Sequence, residues 1–332
     1  MPSPTTSLVP VDPPAEADAV PSPALRAALR PLERQLADPA VTDILVNGHR
    51  SLWVDRGAGL EPEEWDCPDE RRLREWATHL VSLGGRHVDE ATPCVDVRLG
   101  ELRVHVVLPP VAGEQTHVSI RVARTRVLDL DELDAAGMLA GHRARLEEAV
   151  RARSGLLITG AAGSGKTTLL AALLSRCAID ERIVVVEDVR ELRIPHPHVV
   201  ALEARQPNLE GAGGISMAEL VRQSLRMRPD RLVVGECRGA EIRDLLTALN
   251  TGHEGGAGTL HANALDDVPA RLEAMAALAG LEPRALARQA VSAFDLVVHL
   301  ERRGGSRRIA DVGRLVLGDH GTLTARVERA RS

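Results

Sequence analysis

Residues Gly155 to Leu173 read GLLITGAAGSGKTTLLAAL. Within them Gly160, Gly165, Lys166 and Thr167 fall in the pattern G-x-x-x-x-G-K-[ST]. The apolar triplet Leu156-Leu157-Ile158 precedes the pattern, and a Leu/Ala-rich run follows it. Strand, glycine loop and helix in that order are the context that gives the pattern its meaning. The glycines let successive N–H groups turn toward one point, forming a concave nest for phosphate oxygens. The N-terminus of the following helix adds its free N–H groups and dipole. Lys166 is suited to the β- and γ-phosphates, and the Thr167 hydroxyl to Mg²⁺. The nucleotide-binding set is therefore Gly160, Gly163, Ser164, Gly165, Lys166, Thr167 and Thr168.

Lys166 is the only lysine in the chain; arginine supplies every other cationic side chain. A planar guanidinium suits a nest of N–H groups poorly, whereas a flexible point charge fits it. The reading is a nucleoside triphosphate site.

The length of 332 residues suggests two domains. With 44% apolar and 27% charged residues the composition is that of an ordinary globular protein. Tyrosine is absent and there is one phenylalanine, Phe294, so Leu, Val, Ile and Ala must build the core. Few stacking side chains and a net charge of −6 argue against a nucleic-acid channel. Cys67, Cys94, Cys177 and Cys237 form no C-x-x-C, which fits a reducing cytosol and offers neither a zinc site nor a disulfide framework. No apolar run approaches the roughly 18 residues of a membrane span.

Along the chain, residues 1–23 are rich in Pro, Ser, Thr and Ala and read as a disordered tail. Residues 24–122 read as a small α+β domain: a Leu-periodic helix interrupted at Pro31, strands at 41–46 and 51–55, a helix at 70–83, and strands at 95–99, 102–108 and 117–122. Residues 123–137 read as a linker. From 138 to 332, a helix at 139–152 precedes the phosphate-loop strand, and apolar strands then alternate with helices, the pattern of a parallel sheet covered on both faces. The expected fold is α/β, a P-loop NTPase domain joined to a smaller α+β N-terminal domain.

Ligands of open α/β sheets sit beyond the carboxyl ends of the strands. Three strands end there in polar residues: Glu187-Asp188 after VVV, Glu236 after LVVG, and His261 after GTL. Triphosphate hydrolysis needs Mg²⁺ on the β/γ oxygens, a group that orients water, and positive charge on the γ-phosphate. Glu187 is the candidate for activating water, Glu236 for the metal through water, and His261 for contact with the γ-phosphate. The strand RLVVGE has Gly235 where an aspartate ordinarily coordinates the metal, so this Walker B pattern is modified.

IVVVEDVREL (183–192), RMRPDRLVVGECRGAE (226–241) and TGHEGGAGTLHAN (251–263) resemble the Asp box, atypical Walker B and His box of the secretion ATPases. DPAVTDILVNG (38–48) and VRLGELRVHVVLPP (97–110) look like the N-terminal domain of that family. The resemblance runs from about residue 35 to near the end and is closest to tight-adherence (Flp) pilus assembly ATPases, including actinobacterial members associated with conjugal transfer. It implies a RecA-like P-loop domain, ATP and Mg²⁺, a homohexameric ring, and docking on an inner-membrane platform protein from the cytoplasmic side, without direct nucleic-acid contact. It also implies catalytic roles for Glu187, Glu236 and His261, with Arg103 and Arg121, and less directly Arg98, closing on the γ-phosphate. Two features depart from the family: the segment 99–103 is shorter than the usual hairpin, and no C-x-x-C zinc module is present. The two readings that compete are a P-loop small-molecule or nucleotide kinase and a RecA-like nucleic-acid motor linked to conjugation.

Overall fold

The computed structural model describes residues 22–122, 127–205 and 213–328. The chain divides into two compact units, one within Pro14–Arg126 and one from Val127 onward. The expected disordered tail lies outside the described residues up to position 21.

The first unit opens with α1 (Pro23–Leu29), where the Ser22 side chain accepts from the backbone of Leu25. Pro31 has no N–H to donate, so the helix tightens to a 3₁₀ turn at Arg30–Leu32 before resuming as α2 (Glu33–Leu36). Six strands follow: β1 (Asp43–Asn47), β2 (Leu52–Asp55), β3 (Leu60–Glu63), β4 (Cys94–Leu99), β5 (Leu102–Val107) and β6 (His117–Val122). They form one antiparallel sheet in the order β3-β2-β1-β6-β5-β4. Between β3 and β4 runs α3 (Glu70–Leu83), capped by Asp69, whose carboxylate accepts from the Arg72 backbone at 2.8 Å. Strands β2, β4 and β5 alternate along their length between core and surface. Leu102, Val104 and Val106 of β5 join Leu73, Ala77 and Leu80 of α3 in the core, while Arg103 and His105 point away. The unexpected strand is β3, an exposed edge carrying Pro62, which hides its pattern from a reading by alternation.

The second unit begins within the expected linker. Residues 123–126 lie outside the described residues, but within the expected linker 123–137 the segment Leu130–Ala135 is a helix, α4. Asp129 and Glu132 close a reciprocal capping box, and Leu130 and Leu133 are fully buried in the core of this unit. The next helix, α5 (Arg143–Arg151), starts four residues later than its apolar periodicity suggests, because Ala140 and Gly141 both take positive φ and turn the chain.

From there the order is β7 (Leu156–Gly160), α6 (Lys166–Leu174), β8 (Ile183–Glu187), β9 (Val199–Glu203), α7 (Met217–Ser224), β10 (Arg231–Cys237), α8 (Glu241–Leu249), β11 (Ala257–Leu260), α9 (Val268–Leu278), α10 (Pro283–Ala293), β12 (Leu296–Arg303), β13 (Ser306–Leu317) and β14 (Leu323–Val327). The sheet order is β14-β13-β12-β7-β11-β10-β8-β9. Its six strands from β12 to β9 are parallel, and the β13–β14 hairpin pairs antiparallel at one edge. Successive strand residues feed opposite faces. Leu156, Ile158, Val185 and Val233 pack with Leu146, Leu169 and Leu173 on one side. Leu157, Val186, Leu232 and Val234 pack with Leu245, Leu272 and Leu286 on the other, where Phe294 is also buried. Both faces are covered, which is why the strands are apolar throughout.

In the sheet, β7 and β8 are separated by β11 and β10. The connection through α6 passes over two strand positions that later segments fill, and the carboxyl ends of β7, β11, β10 and β8 become neighbours.

Candidate functional site

The phosphate loop runs from the end of β7 to the first turn of α6. Gly160 (φ 148°), Gly163 (φ 69°) and Gly165 (φ 98°) all have backbone conformations that favour glycine. Space excludes a side chain as well. A Cβ on Gly160 would collide with the Leu300 carbonyl and sit 2.6 Å from Ser164 Oγ, and one on Gly165 would lie 2.8 Å from Met138 Cε. Lys166 is 7% exposed, and its Nζ donates to the carbonyls of Gly160 and Ala161, each at 2.9 Å. Burial holds its ammonium below the usual lysine range, opposed by the charges of Glu236 and Glu191. Ser164 Oγ is buried without a hydrogen-bond partner, a polar atom left over inside the nest. Thr167 and Thr168 are half-buried in the first turn of α6.

Glu187 ends β8 and is 4% exposed. Its Oε1 accepts from the backbone N–H groups of Glu191 (3.1 Å) and Leu192 (3.0 Å), while Oε2 is buried and unpartnered. Burial raises the carboxyl to about 7, and the two N–H donors only partly offset it. The side chain occupies the space beside Gly235 on β10: a Cβ there would lie 2.5 Å from Glu187 Cγ and 2.8 Å from Oε1. The missing aspartate of the Walker B strand thus has a steric counterpart.

Glu236 follows Gly235 and is engaged on both oxygens. His261 Nε2 meets Oε1 at 2.6 Å, and Arg238 donates to Oε2 through Nε at 2.8 Å and also through Nη2. Arg238 further pairs with Asp188 at 3.5 Å. His261 lies just past β11, which ends at Leu260. Burial and then the Lys166 charge hold its imidazole below the ordinary histidine range, so it is neutral at pH 7 and donates Nε2–H to the carboxylate. Lys166, Glu187, Glu236 and His261 are brought to one end of the sheet, as their strand positions require.

The arginines of the N-terminal unit form a row. Arg98 faces Arg103 across β4–β5, Arg103 faces Arg121 across β5–β6, and Arg121 faces Asp43 across β6–β1. Arg121 pairs with Asp43 at 3.3 Å, Arg103 with Asp96 at 3.6 Å, and Arg98 donates to the Gly100 carbonyl at 2.9 Å. Like charges directly opposite one another work against sheet stability, so an acid beside them or a bound anion is needed to offset the row.

The family profile described as "Type II/IV secretion system protein" matches residues 26–314. The chain belongs to this family. A Mycobacterium tuberculosis protein named for conjugal transfer is 49% identical over 85% of this chain and 82% of its own length. The type IV secretion system protein PtlH of Bordetella pertussis is 33% identical over 86% of this chain and 93% of its own. The crystal structure of the pilus retraction motor PilT with bound ADP superposes with a TM-score of 0.59 at 20% identity, covering 85% of this chain and 80% of that one. That likeness establishes the fold of this type II/IV secretion system protein as α/β with a RecA-like P-loop unit.

The secretion-family site also contains groups that sequence reading passed over. Arg238 is visible as the cation two residues after Glu236. Arg307 of β13 donates through Nε to the Gly163 carbonyl at 2.9 Å, from far along the chain. His299 of β12 meets Thr159 at the root of the phosphate loop. Neither of the last two carries a spacing signal. Among the described residues no helix is long and apolar enough to cross a membrane, and no group of three or more His, Cys, Asp or Glu is placed to hold a metal ion.

Proposed function

We propose that this chain is an Mg²⁺-dependent ATPase that works as a homohexameric ring. It would act in the cytoplasm at the inner face of the plasma membrane, driving Flp-type pilus assembly or type II/IV-like secretion through an inner-membrane platform protein. The observation that carries the reading is the convergence of Lys166, Glu187, Glu236 and His261 beside a loop whose buried Ser164 Oγ lacks a partner. The names of the relatives support the secretion setting, and the bound ADP of the PilT structure supports an adenine nucleotide.

The residues divide the work. Backbone N–H groups from Gly160 to Thr168 cradle the phosphates, and Lys166 exchanges its two carbonyl partners for phosphate oxygens. Glu187 Oε2, unpartnered and buried, accepts a proton from water as its oxygen attacks the γ-phosphorus and the bond to the β–γ bridging oxygen breaks, giving ADP and phosphate. His261, held by Glu236, presents its ring toward the γ-phosphate. Mg²⁺ keeps several waters and uses one or two protein oxygens. Thr167 would hold the ion, with Glu236 behind it through water, and the ion would neutralise charge on the β/γ oxygens. Arg103 and Arg121 would add positive charge at the γ-phosphate, which a triphosphate rewards more than a diphosphate does.

The test is light-scattering mass with Mg²⁺ and AMP-PNP, measured beside the rate of phosphate release. A sixfold mass with slow turnover, abolished in Lys166→Ala, is expected. A monomer that transfers phosphate to an acceptor would overturn the reading in favour of a kinase.

A further inference from the structure

His299 is a buried imidazole that the mechanism above does not use. It is 3% exposed on β12 and stands in register with Thr159, the residue before Gly160 on β7. Its Nδ1 lies 2.9 Å from Thr159 Oγ1, and Thr159 is itself fully buried. The ring makes a second hydrogen bond, to the backbone of Asn263, two residues after His261. In the sheet, β7 lies between β12 and β11. The imidazole therefore spans the phosphate-loop strand and ties it to the loop that carries His261.

The chemistry of the contacts specifies one ring form. The Asn263 contact favours the charged ring, so it is made by the carbonyl, which accepts only and requires a ring N–H. Burial holds His299 below the ordinary histidine range, so the ring is neutral and its remaining nitrogen, Nδ1, accepts from the Thr159 hydroxyl. One neutral ring thus satisfies two buried groups on two segments that both face the nucleotide. A leucine would fill the space but take the ring partner from the Asn263 backbone and leave the Thr159 hydroxyl only its long contact, 3.4 Å, to the Val298 carbonyl.

We infer that His299 is a positioning residue that couples the His261 loop to the phosphate-loop strand, so that a γ-phosphate contact at His261 is felt at Gly160–Lys166. The inference rests on the proposed role of His261 at the γ-phosphate. Its signature is a change in the discrimination between triphosphate and diphosphate, with little change in how tightly the diphosphate binds.

The experiment measures the affinities of full-length protein for AMP-PNP and ADP by calorimetry with Mg²⁺, together with turnover. The proteins are wild type, Thr159→Val, His299→Leu, His299→Gln and the Thr159→Val/His299→Leu pair. Losing one buried hydrogen bond in the coupling should reduce both turnover and the AMP-PNP/ADP affinity ratio about tenfold in Thr159→Val and in His299→Leu. ADP affinity should stay within about twofold, since its contacts are to the loop alone. The pair should be no worse than either single variant, because both remove the same link. His299→Gln, which keeps a donor and an acceptor, should recover part of the loss. Thr159→Val keeps the shape of the side chain and stands in if His299→Leu does not fold. Unchanged ratios in variants of a wild type that discriminates would overturn the inference, as would equal losses for ADP and AMP-PNP. A wild type that neither discriminates nor hydrolyses would overturn the proposed function itself, which is a separate result.

Discussion

Glu187→Gln should make the protein more stable at neutral and alkaline pH while removing its turnover. The carboxyl is 4% exposed, one oxygen has no partner, and burial raises it from 4.5 to about 7. Between those values the folded state holds a proton that the unfolded chain releases, so wild-type stability falls as pH rises through the interval. At 1.36 kcal/mol per pKa unit the rise amounts to about 3 kcal/mol of stability, fully present below pH 4.5 and fully lost above pH 7. Glutamine mimics the protonated acid and keeps an acceptor for the N–H groups of Glu191 and Leu192. Urea unfolding of the nucleotide-free proteins from pH 4.5 to 8 should therefore give a gap in favour of the variant that opens with pH and levels off above about 7. The wild-type rate of phosphate release should climb over the same range, because only the ionised form accepts a proton, and the variant should lack that limb. A stability gap that does not vary with pH would refute the argument, and so would a wild type more stable than the variant at pH 8.

Two further outcomes follow from contacts around the site. Gly235→Ala places a methyl group 2.5 Å from Glu187 Cγ, so the buried Glu187 side chain must move from its place, and urea unfolding should show a loss of about 1–3 kcal/mol. Its turnover should fall as far as that of Glu187→Gln, because the carboxylate is displaced. Arg307→Ala removes a guanidinium that holds the Gly163 carbonyl at 2.9 Å, and ATP and ADP titrations should weaken together by about tenfold, with Arg307→Lys intermediate.

The phosphate loop was legible because its chemistry depends on glycines and one lysine at fixed spacing, and the carboxyl-end acids because an apolar strand ending in a charge is conspicuous. Helix 70–83 and strand 117–122 match their expected bounds because their periodicity coincides with strong stop signals. The exposed edge strand β3 was not legible, since Pro62 and its polar neighbours suppress alternation. Neither was α4, whose six residues are too few to show a period and whose burial depends on tertiary contacts. The link from His299 to Thr159 joins residues 140 apart, and the contact of Arg307 with Gly163 joins residues 144 apart; no local pattern records either. Strand order decides such contacts, and periodicity carries no strand order.

Strand order also accounts for the departure from the ordinary Walker B pattern. Because β10 lies directly beside β8 in parallel register, with Val234 opposite Val186, the next residues, Gly235 and Glu187, reach the carboxyl edge together. Glu187 folds across Gly235, and its Oε1 stands 2.8 Å from the place a Cβ would occupy. An aspartate at 235 would need that space and would set a second carboxylate against one already held near neutrality by burial. Two such acids at one buried edge raise each other's pKa, and at most one would stay ionised. With glycine at 235, the neighbouring strand supplies the buried acid, and Glu236 one residue later supplies the carboxylate that meets His261 and Arg238. The two acids then occupy different environments, one dry and one paired with a guanidinium and a neutral imidazole. That separation lets the Glu187 carboxyl take up a proton near pH 7 while the Glu236 carboxylate is held by Arg238 and His261.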